Sequence, residues 1–190
     1  MARPLAPRIG RDAAAFARGC DRIDVLPGLS DAEIARAESW LGAAFASDHL
    51  AFLREVLPHG PGWPDWRHLD TRRPYVWMQD GPVQGVLFDV RVNAFWHPGW
   101  GPRPDDAEAS LSIAEERLAA APRLIRVYGH RYLPAAQEGA GHPVLSVHQT
   151  DVICYGADLE DYLHHEFVPG TDPARRAAAV PTVTFWRDLV

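Results

Sequence analysis

The chain has 190 residues, of which 47% are hydrophobic, and a formal net charge of −6. This length suits one domain, and the hydrophobic share supports a packed core and excludes wholesale disorder. The 19 basic residues are all arginines scattered along the chain. An acidic protein would need a local basic patch to bind nucleic acid. No such patch is visible in the sequence, so nucleic-acid binding is not indicated.

Targeting and redox signals are weak in this sequence. Cys20 and Cys154 are too few and too far apart for a disulfide framework. Residues 1–10 lack the apolar run of a secretory signal, and no stretch has the apolar length of a membrane span. We therefore expect a cytoplasmic protein that contacts no membrane.

Helices dominate the predicted structure of the first 60 residues. Alanines favour a short helix over residues 12–19. Ser30 and Glu33 form a capping-box pattern, which predicts a helix that ends at Leu41 before Gly42. A further helix is predicted to begin at Ser47 or Asp48 and to end near residues 58–60. Together these two helices predict an αα-hairpin.

The middle of the chain alternates predicted strands with loops. Residues 75–78 predict a short strand, and residues 85–88 predict a better one. Residues 95–101 are bulky but interrupted by proline and glycine, which predicts an ordered loop folded on its aromatic side chains. Asp105 or Asp106 is expected to begin a long helix that ends at Pro122.

The second half of the chain predicts a sheet covered by a helix. Residues 124–132 and 143–147 each predict a strand, joined by a loop over 134–141, and a third strand follows over 152–155. Asp158 is expected to cap a helix to Phe167 that covers the sheet. The apolar residues 183–186 are expected to pack back. This pattern predicts an α+β fold.

Polar residues are concentrated around these strands and provide a candidate site. Buried polar groups must find partners, so we expect Tyr128, His130, Gln149 and Asp151 to form a hydrogen-bonded cluster without a bound ion. The full candidate set, as a polar cluster or a partner-binding surface, is His97, Tyr128, His130, Tyr132, His148, Gln149 and Asp151.

Several motifs of the chain resemble those of the SUKH superfamily, the Smi/Knr-type domain of bacterial immunity proteins and yeast cell-wall regulators. The resemblance extends from about residue 25 to residue 167, and it is most specific in the second half. The motifs that carry it are Gly28-Leu29-Ser30 with Glu33-Ile34, Leu50 with Phe52-Leu53, Trp63-Pro64-Asp65-Trp66, Phe95-Trp96-His97-Pro98, Trp100-Gly101, Tyr128-Gly129-His130-Arg131-Tyr132, Ser146-Val147, Gln149-Thr150-Asp151-Val152-Ile153, Tyr155-Gly156, Asp158-Leu159 and Tyr162-Leu163.

This resemblance implies a single α+β domain with an N-terminal helical hairpin and a central, mostly antiparallel sheet with packed helices. Residues 25–190 would form the domain, with a core over 25–167 and a tail over 168–190 that packs back. Residues 1–24 would be an N-terminal extension. The resemblance also implies a protein without catalysis or cofactor, of a kind that neutralises bacterial toxins, many of them nucleases.

Catalytic patterns are poorly represented in the sequence. No metal-ligand pair has the HExxH spacing, Ser146 lacks a nucleophile elbow, and Cys154 lies in an apolar strand. Two hypotheses stay open. The first is an immunity protein whose acidity suits a basic partner such as a nuclease toxin. The second is a small metal-dependent or acid–base enzyme built on His130, His148 and Asp151.

Overall fold

The computed structural model describes residues 5–69, 80–170 and 183–190. These ranges contain six α-helices, two antiparallel sheets and three short 3-10 helices. The α-helices are α1 (Leu5–Gly19), α2 (Asp31–Leu41), α3 (Ser47–Glu55), α4 (Gly81–Val92), α5 (Ala107–Ala119) and α6 (Leu159–Phe167). The strands are β1 (Asp24–Pro27), β2 (Val56–His59), β3 (Leu124–Tyr128), β4 (Arg131–Pro134), β5 (Val144–His148) and β6 (Asp151–Gly156). The 3-10 helices are Pro98–Trp100, Ala136–Glu138 and Trp186–Leu189.

A four-stranded antiparallel sheet forms the centre of the fold, with the strand order β3-β4-β5-β6. Each strand pairs with the next one along the chain, so the sheet is a meander of hairpins. A separate two-stranded sheet pairs β1 with β2. These elements confirm the predicted α+β class and the antiparallel central sheet.

Hydrophobic clusters cover both faces of the central sheet, because successive side chains of a strand point to opposite faces. On the first face the sheet packs with residues of α1, α2, α3 and α6. On the second face it packs with α4, α5 and the C-terminal residues. The first face carries Ile125, Val127, Leu133 and Val144, and the second carries Leu124, Tyr132, Leu145, Val147 and Val152.

Helix α1 belongs to the first cluster and is longer than the predicted helix over residues 12–19. Its small side chains Ala13, Ala14 and Ala17 are fully buried, and α3 is its most extensive neighbour. A Cβ atom on Gly10 would lie within 3.0 Å of the α3 backbone, so glycine lets the two helices approach closely. The boundary between residues 24 and 25 stays a prediction, but α1 is part of the core.

The capping box predicted for α2 is confirmed. The backbone N–H of Ser30 donates to Glu33 Oε2 at 2.7 Å, and the N–H of Glu33 donates to Ser30 Oγ at 3.3 Å. Gly42 ends the helix in the left-handed conformation, with φ +65°. Both helix ends are therefore fixed by local side-chain and backbone chemistry.

Helix α3 ends earlier than the sequence predicts. It stops at Glu55, and residues 56–59 form β2, which pairs with β1. Pro58 has no N–H to continue a helix, and Val56 and Leu57 are buried as strand residues. The helix packed most extensively on α3 is α1 rather than α2. The predicted helical hairpin of α2 and α3 therefore stays a prediction.

The strand predicted over residues 85–88 is wrong, because these residues lie inside α4. Such a short apolar run is compatible with either a strand or a helix. In the structure Val86, Leu87 and Val90 are buried at helical spacing. Pro82 in the first turn suits a helix start. The strand predicted over residues 75–78 lies outside the described residues.

The single strand predicted over residues 124–132 is also wrong. The chain turns at Gly129 and His130, so β3 and β4 form a tight hairpin. Gly129 adopts φ +51°, a left-handed conformation that costs glycine little. The predicted loop over 134–141 begins after β4 and contains the 3-10 helix Ala136–Glu138.

The remaining predicted elements agree with the structure. The carboxylates of Asp106 and Asp158 accept backbone N–H groups at the starts of α5 and α6. Residues 95–101 fold on their aromatic side chains, and Trp96 packs edge-on against Trp100 at 5.2 Å. The tail packs back through Trp186, whose indole donates to the Pro122 carbonyl at 2.7 Å. None of the described helices is long and apolar enough to cross a membrane.

Candidate functional site

A groove of about 490 Å³ runs between α4 and the turns that join β3 to β4 and β5 to β6. Its apolar lining comes from Phe88, Tyr132 and Val147. Its polar lining includes His130, His148 and Gln149. The groove lies on the second face of the sheet, where Tyr132 and Val147 belong to the hydrophobic cluster beneath α4.

The turn that joins β5 to β6 forms one wall of the groove, and it is fixed to α4 through Asp89. The Oδ2 atom of this buried carboxylate accepts both the backbone N–H of Thr150 at 2.9 Å and its hydroxyl at 2.6 Å. Oδ1 accepts the side-chain amide of Asn93 at 2.6 Å. Burial alone would raise the pKa of Asp89, but bonds from Thr150 and Asn93 hold it below its usual value. Asp89 is therefore a structural carboxylate and stays ionised.

Helix and turn also approach each other closely at Gly85. A Cβ atom there would lie 2.8 Å from the Cα atom of Gln149 and 3.0 Å from its nitrogen. Gln149 itself adopts φ +58°, a conformation uncommon for a residue with a side chain. Such backbone persists only where its surroundings enforce it. Gly85 and Asp89 provide that enforcement, so this wall of the groove is pre-organised.

Two histidines belong to the lining of the groove. His130 follows Gly129 in the first turn, and His148 ends β5 beside the second. Burial lowers the pKa of His130, and the charges of Arg131, His148 and Arg126 lower it further. Arg126 lies under the first turn, where it donates to the Gly129 carbonyl at 2.7 Å.

Exposed apolar side chains lie on α4 beside the groove. Phe88 is 44% exposed and Val92 is 58% exposed. Residues four apart share one face of a helix, so the two side chains form one continuous apolar stripe. Phe88 also lines the groove, so the stripe extends the apolar lining of the groove onto the surface of α4.

The structure brings only some of the predicted site residues together. His130, Tyr132, His148 and Gln149 line the groove. Asp151 is exposed and pairs with His148 in the β5–β6 register, outside the groove lining.

Tyr128 and His97 lie elsewhere. Tyr128 packs on Trp63 at 4.8 Å, because the turn at residue 129 interrupts the alternation that would have placed it beside His130. His97 packs on Trp100 and Phe185, with its Nε2 atom 3.6 Å from Asp188 Oδ2. Of the predicted four-residue cluster, only His130 and Gln149 therefore line the groove, whereas Asp151 lies outside its lining and Tyr128 packs on the other side of the sheet.

A second polar cluster was missed in the sequence. The guanidinium of Arg131 lies 3.7 Å over the Tyr155 ring, donates to Ser146 Oγ at 3.1 Å, and faces Glu166 Oε2 at 3.6 Å. Burial and Glu166 raise the pKa of the neighbouring Tyr162. These residues come from three strands and a helix, so no local spacing marks them. The cluster joins β4, β5 and β6 to α6.

Two further features of the structure bear on where a site lies. A wider depression of about 530 Å³ between α4 and α5 is crossed at its margin by the 3.3 Å ion pair of Arg123 with Asp80. It gathers none of the predicted site residues and no exposed aromatic side chain. Within residues 5–69, 80–170 and 183–190, no three His, Cys, Asp or Glu side chains are arranged to hold a metal ion.

Comparison with protein-family models, curated proteins and solved structures found no match.

Proposed function

We propose that this chain is a non-enzymatic protein-binding domain and that its groove and the adjoining α4 stripe form the binding surface. The observation that carries this proposal is the exposure of Phe88 and Val92 beside a groove whose wall is already fixed by Asp89. Protein interfaces are enriched in aromatic anchors at pre-organised positions. An exposed aromatic on a rigid helix meets both conditions.

The exposed carboxylates near the groove support a basic protein as the partner. Helix α5 and the residues just before it carry five exposed carboxylates, and this helix packs beside α4. Complementary potentials speed encounter and suppress wrong partners. The five residues are Asp105, Asp106, Glu108, Glu115 and Glu116.

The resemblance to the SUKH superfamily supports a more specific function. Its strongest part, over residues 146–163, extends from β5 through β6 into α6. We propose that the protein is a cytoplasmic immunity protein that neutralises a bacterial toxin, such as a basic nuclease. The toxin would be occluded by binding, with no turnover.

Co-expression with the product of an adjacent toxin-like gene tests this function. The protein should restore growth and should be recovered in a complex with the toxin. Phe88→Asp should abolish both, because a charge would replace the apolar anchor. Ile153→Asp is the matched control, since Ile153 is 46% exposed and lies on the other side of β6 from the buried Val152. Growth that stays arrested, with no complex formed, would contradict toxin immunity.

An acid–base or metal-dependent enzyme remains the alternative function, favoured by the proximity of His130 and His148 in the groove. Elemental analysis of the purified protein distinguishes the two functions. Stoichiometric zinc or iron that survives dialysis against a chelator, and that is lost in His130→Gln and His148→Gln, would favour the enzyme. Binding without turnover predicts no retained metal.

A further inference from the structure

Three buried polar atoms where α6 packs on the sheet make no hydrogen bond to the residues that the structure describes. They are Arg131 Nε, Tyr162 Oη and Glu166 Oε2. Proteins pair nearly all of their buried polar atoms, because each atom left unpaired costs the free energy of its lost hydration. Three such atoms in one cluster therefore indicate a shared partner.

The three side chains belong to one small region between α6 and the sheet. Arg131 Nε and Glu166 Oε2 are 3.6 Å apart, which is too far for a direct hydrogen bond. Tyr162 lies one turn before Glu166 on α6, so the two side chains share a helix face. The Tyr162 ring lies 6.3 Å from the Tyr155 ring, on which the Arg131 guanidinium stacks at 3.7 Å. Burial raises the pKa of Tyr162 most, the Glu166 carboxylate raises it further and Arg131 opposes both, so the two charges lie near this hydroxyl.

Neighbouring contacts restrict how far these side chains can move towards each other. Arg131 Nη1 donates to Ser146 Oγ at 3.1 Å, and the stacking on Tyr155 fixes the plane of the guanidinium. A Cβ atom on Gly156 would lie 2.4 Å from Tyr162 Cβ, so α6 is already packed closely on β6. A shift of the helix or of the guanidinium is therefore a costly way to pair the three atoms.

The donors and acceptors of the three groups decide which ligand can pair them. A guanidinium N–H only donates, an ionised carboxylate oxygen only accepts, and a tyrosine hydroxyl does both. A metal cation could not accept from Arg131, and a halide could not donate to Glu166. A water molecule does both and can also bond the hydroxyl, which gives it about three hydrogen bonds, the number typical of a buried water.

We propose that one buried water molecule binds between α6 and β4, where it accepts from Arg131 Nε, donates to Glu166 Oε2 and bonds Tyr162 Oη. This water joins the C-terminal half of α6 to the sheet through bonds that the protein atoms do not make directly. The inference goes beyond the proposed function and does not depend on it. Tyr162 belongs to the cluster on the first face of the sheet, whereas the groove lies on the second.

A high-resolution crystal structure of the intact protein locates the water. We expect one density peak at about 2.6–3.2 Å from all three atoms. A direct bond between Arg131 and Glu166 with no such peak would overturn the proposal, and so would a peak that anomalous scattering identifies as a chloride ion.

Nuclear Overhauser spectroscopy tests the same site in solution. The Nε–H of Arg131 should show a cross-peak at the water frequency, whereas the Nε–H of Arg126 should show none, because it donates directly to the Gly129 carbonyl at 2.7 Å. The Arg131 cross-peak should persist in Tyr162→Phe, where the water keeps two partners and no tyrosine hydroxyl can relay the signal. A missing cross-peak in the wild-type protein, or its loss in Tyr162→Phe, would overturn the proposal.

Thermal unfolding of Tyr162→Phe provides an independent test. If the hydroxyl bonds a water, its removal loses a hydrogen bond, and the melting temperature should fall by about 2–4 °C. If the hydroxyl has no partner, its removal relieves a buried polar group, and the melting temperature should rise. Tyr128→Phe, at a half-buried tyrosine, is the matched control and should shift the midpoint by less than about 1 °C. An equal or higher melting temperature of Tyr162→Phe would overturn the proposal.

Discussion

His49 should make the protein sensitive to acid. Its side chain is 2% exposed, lies beside the Phe45 ring, and has no hydrogen-bond partner for Nδ1 among the described residues. Burial lowers the pKa of His49 from 6.5 to about 3. The imidazole of His49 therefore becomes protonated below about pH 6.5 in the unfolded chain, but only below about pH 3 in the folded protein.

The sign and size of the effect follow from these two values. Stability is fully present above pH 6.5 and is lost as the pH falls towards 3, at about 1.4 kcal/mol per pH unit. Between about pH 7.5 and pH 5 the loss from His49 alone amounts to about 2 kcal/mol. This is a large fraction of the 5–15 kcal/mol that typically holds a domain folded.

Urea unfolding followed by tryptophan fluorescence measures this loss. The wild-type protein and His49→Gln are compared at both pH values, so that the shared contribution of the carboxylates cancels. The variant is less stable at neutral pH but should lose about 2 kcal/mol less on acidification. His59→Gln, at an exposed histidine, should behave like the wild type. An equal loss in His49→Gln and the wild type would refute the reasoning.

Three further predictions concern stability and the groove. Replacing Ser30 by Ala removes the side-chain acceptor of the α2 capping box and should lower the free energy of unfolding by about 1 kcal/mol. Urea unfolding measures this loss, and an unchanged midpoint would contradict a stabilising cap. Gly85→Ala gains helix propensity, but its Cβ would press on the Gln149 backbone, so we expect the free energy of unfolding to fall by about 1 kcal/mol and groove binding to weaken. A more stable variant would show that this wall of the groove is free to move. Arg131→Ala leaves Glu166 without its buried partner and should cost about 3 kcal/mol in thermal or urea unfolding, whereas a loss below about 1 kcal/mol would show the ion pair to be dispensable.

Features set by neighbouring residues were predictable from the sequence. Ser30, Asp106 and Asp158 each provide an oxygen to an N–H group three residues later, so the helix starts are specified locally. The three correctly predicted helices all begin at one of these caps. The α+β class followed because these helices alternate with β-branched and aromatic runs.

Features set by distant contacts were not predictable. Residues 85–88 are apolar and short enough for either a strand or a helix, and packing on β5 and α5 favours the helix. The turn at Gly129 has too weak a local signal inside a run of strand-forming residues. Missing that turn placed Tyr128 beside His130, although the two side chains point to different regions.

The candidate site was predictable only in part, for the same reason. His130, Tyr132, His148 and Gln149 were identified because they cluster around predicted strands. Phe88 was not identified, since the incorrect strand assignment at 85–88 concealed its position on an exposed helix face. One wall of the groove comes from α4, which contacts the turns across more than 40 residues of chain, and no sequence spacing encodes such a contact.

The affinity of the partner for Phe88→Asp tests the central claim most directly. Titration calorimetry with the toxin-like product of an adjacent gene should give a one-to-one complex with the wild-type protein. A charge at a buried anchor should cost at least about 2 kcal/mol, which is about thirtyfold in Kd. Ile153→Asp should change Kd by less than about threefold, because Ile153 lies on the other side of β6. Equal affinities for the wild-type protein and Phe88→Asp would contradict binding through the groove and the α4 stripe.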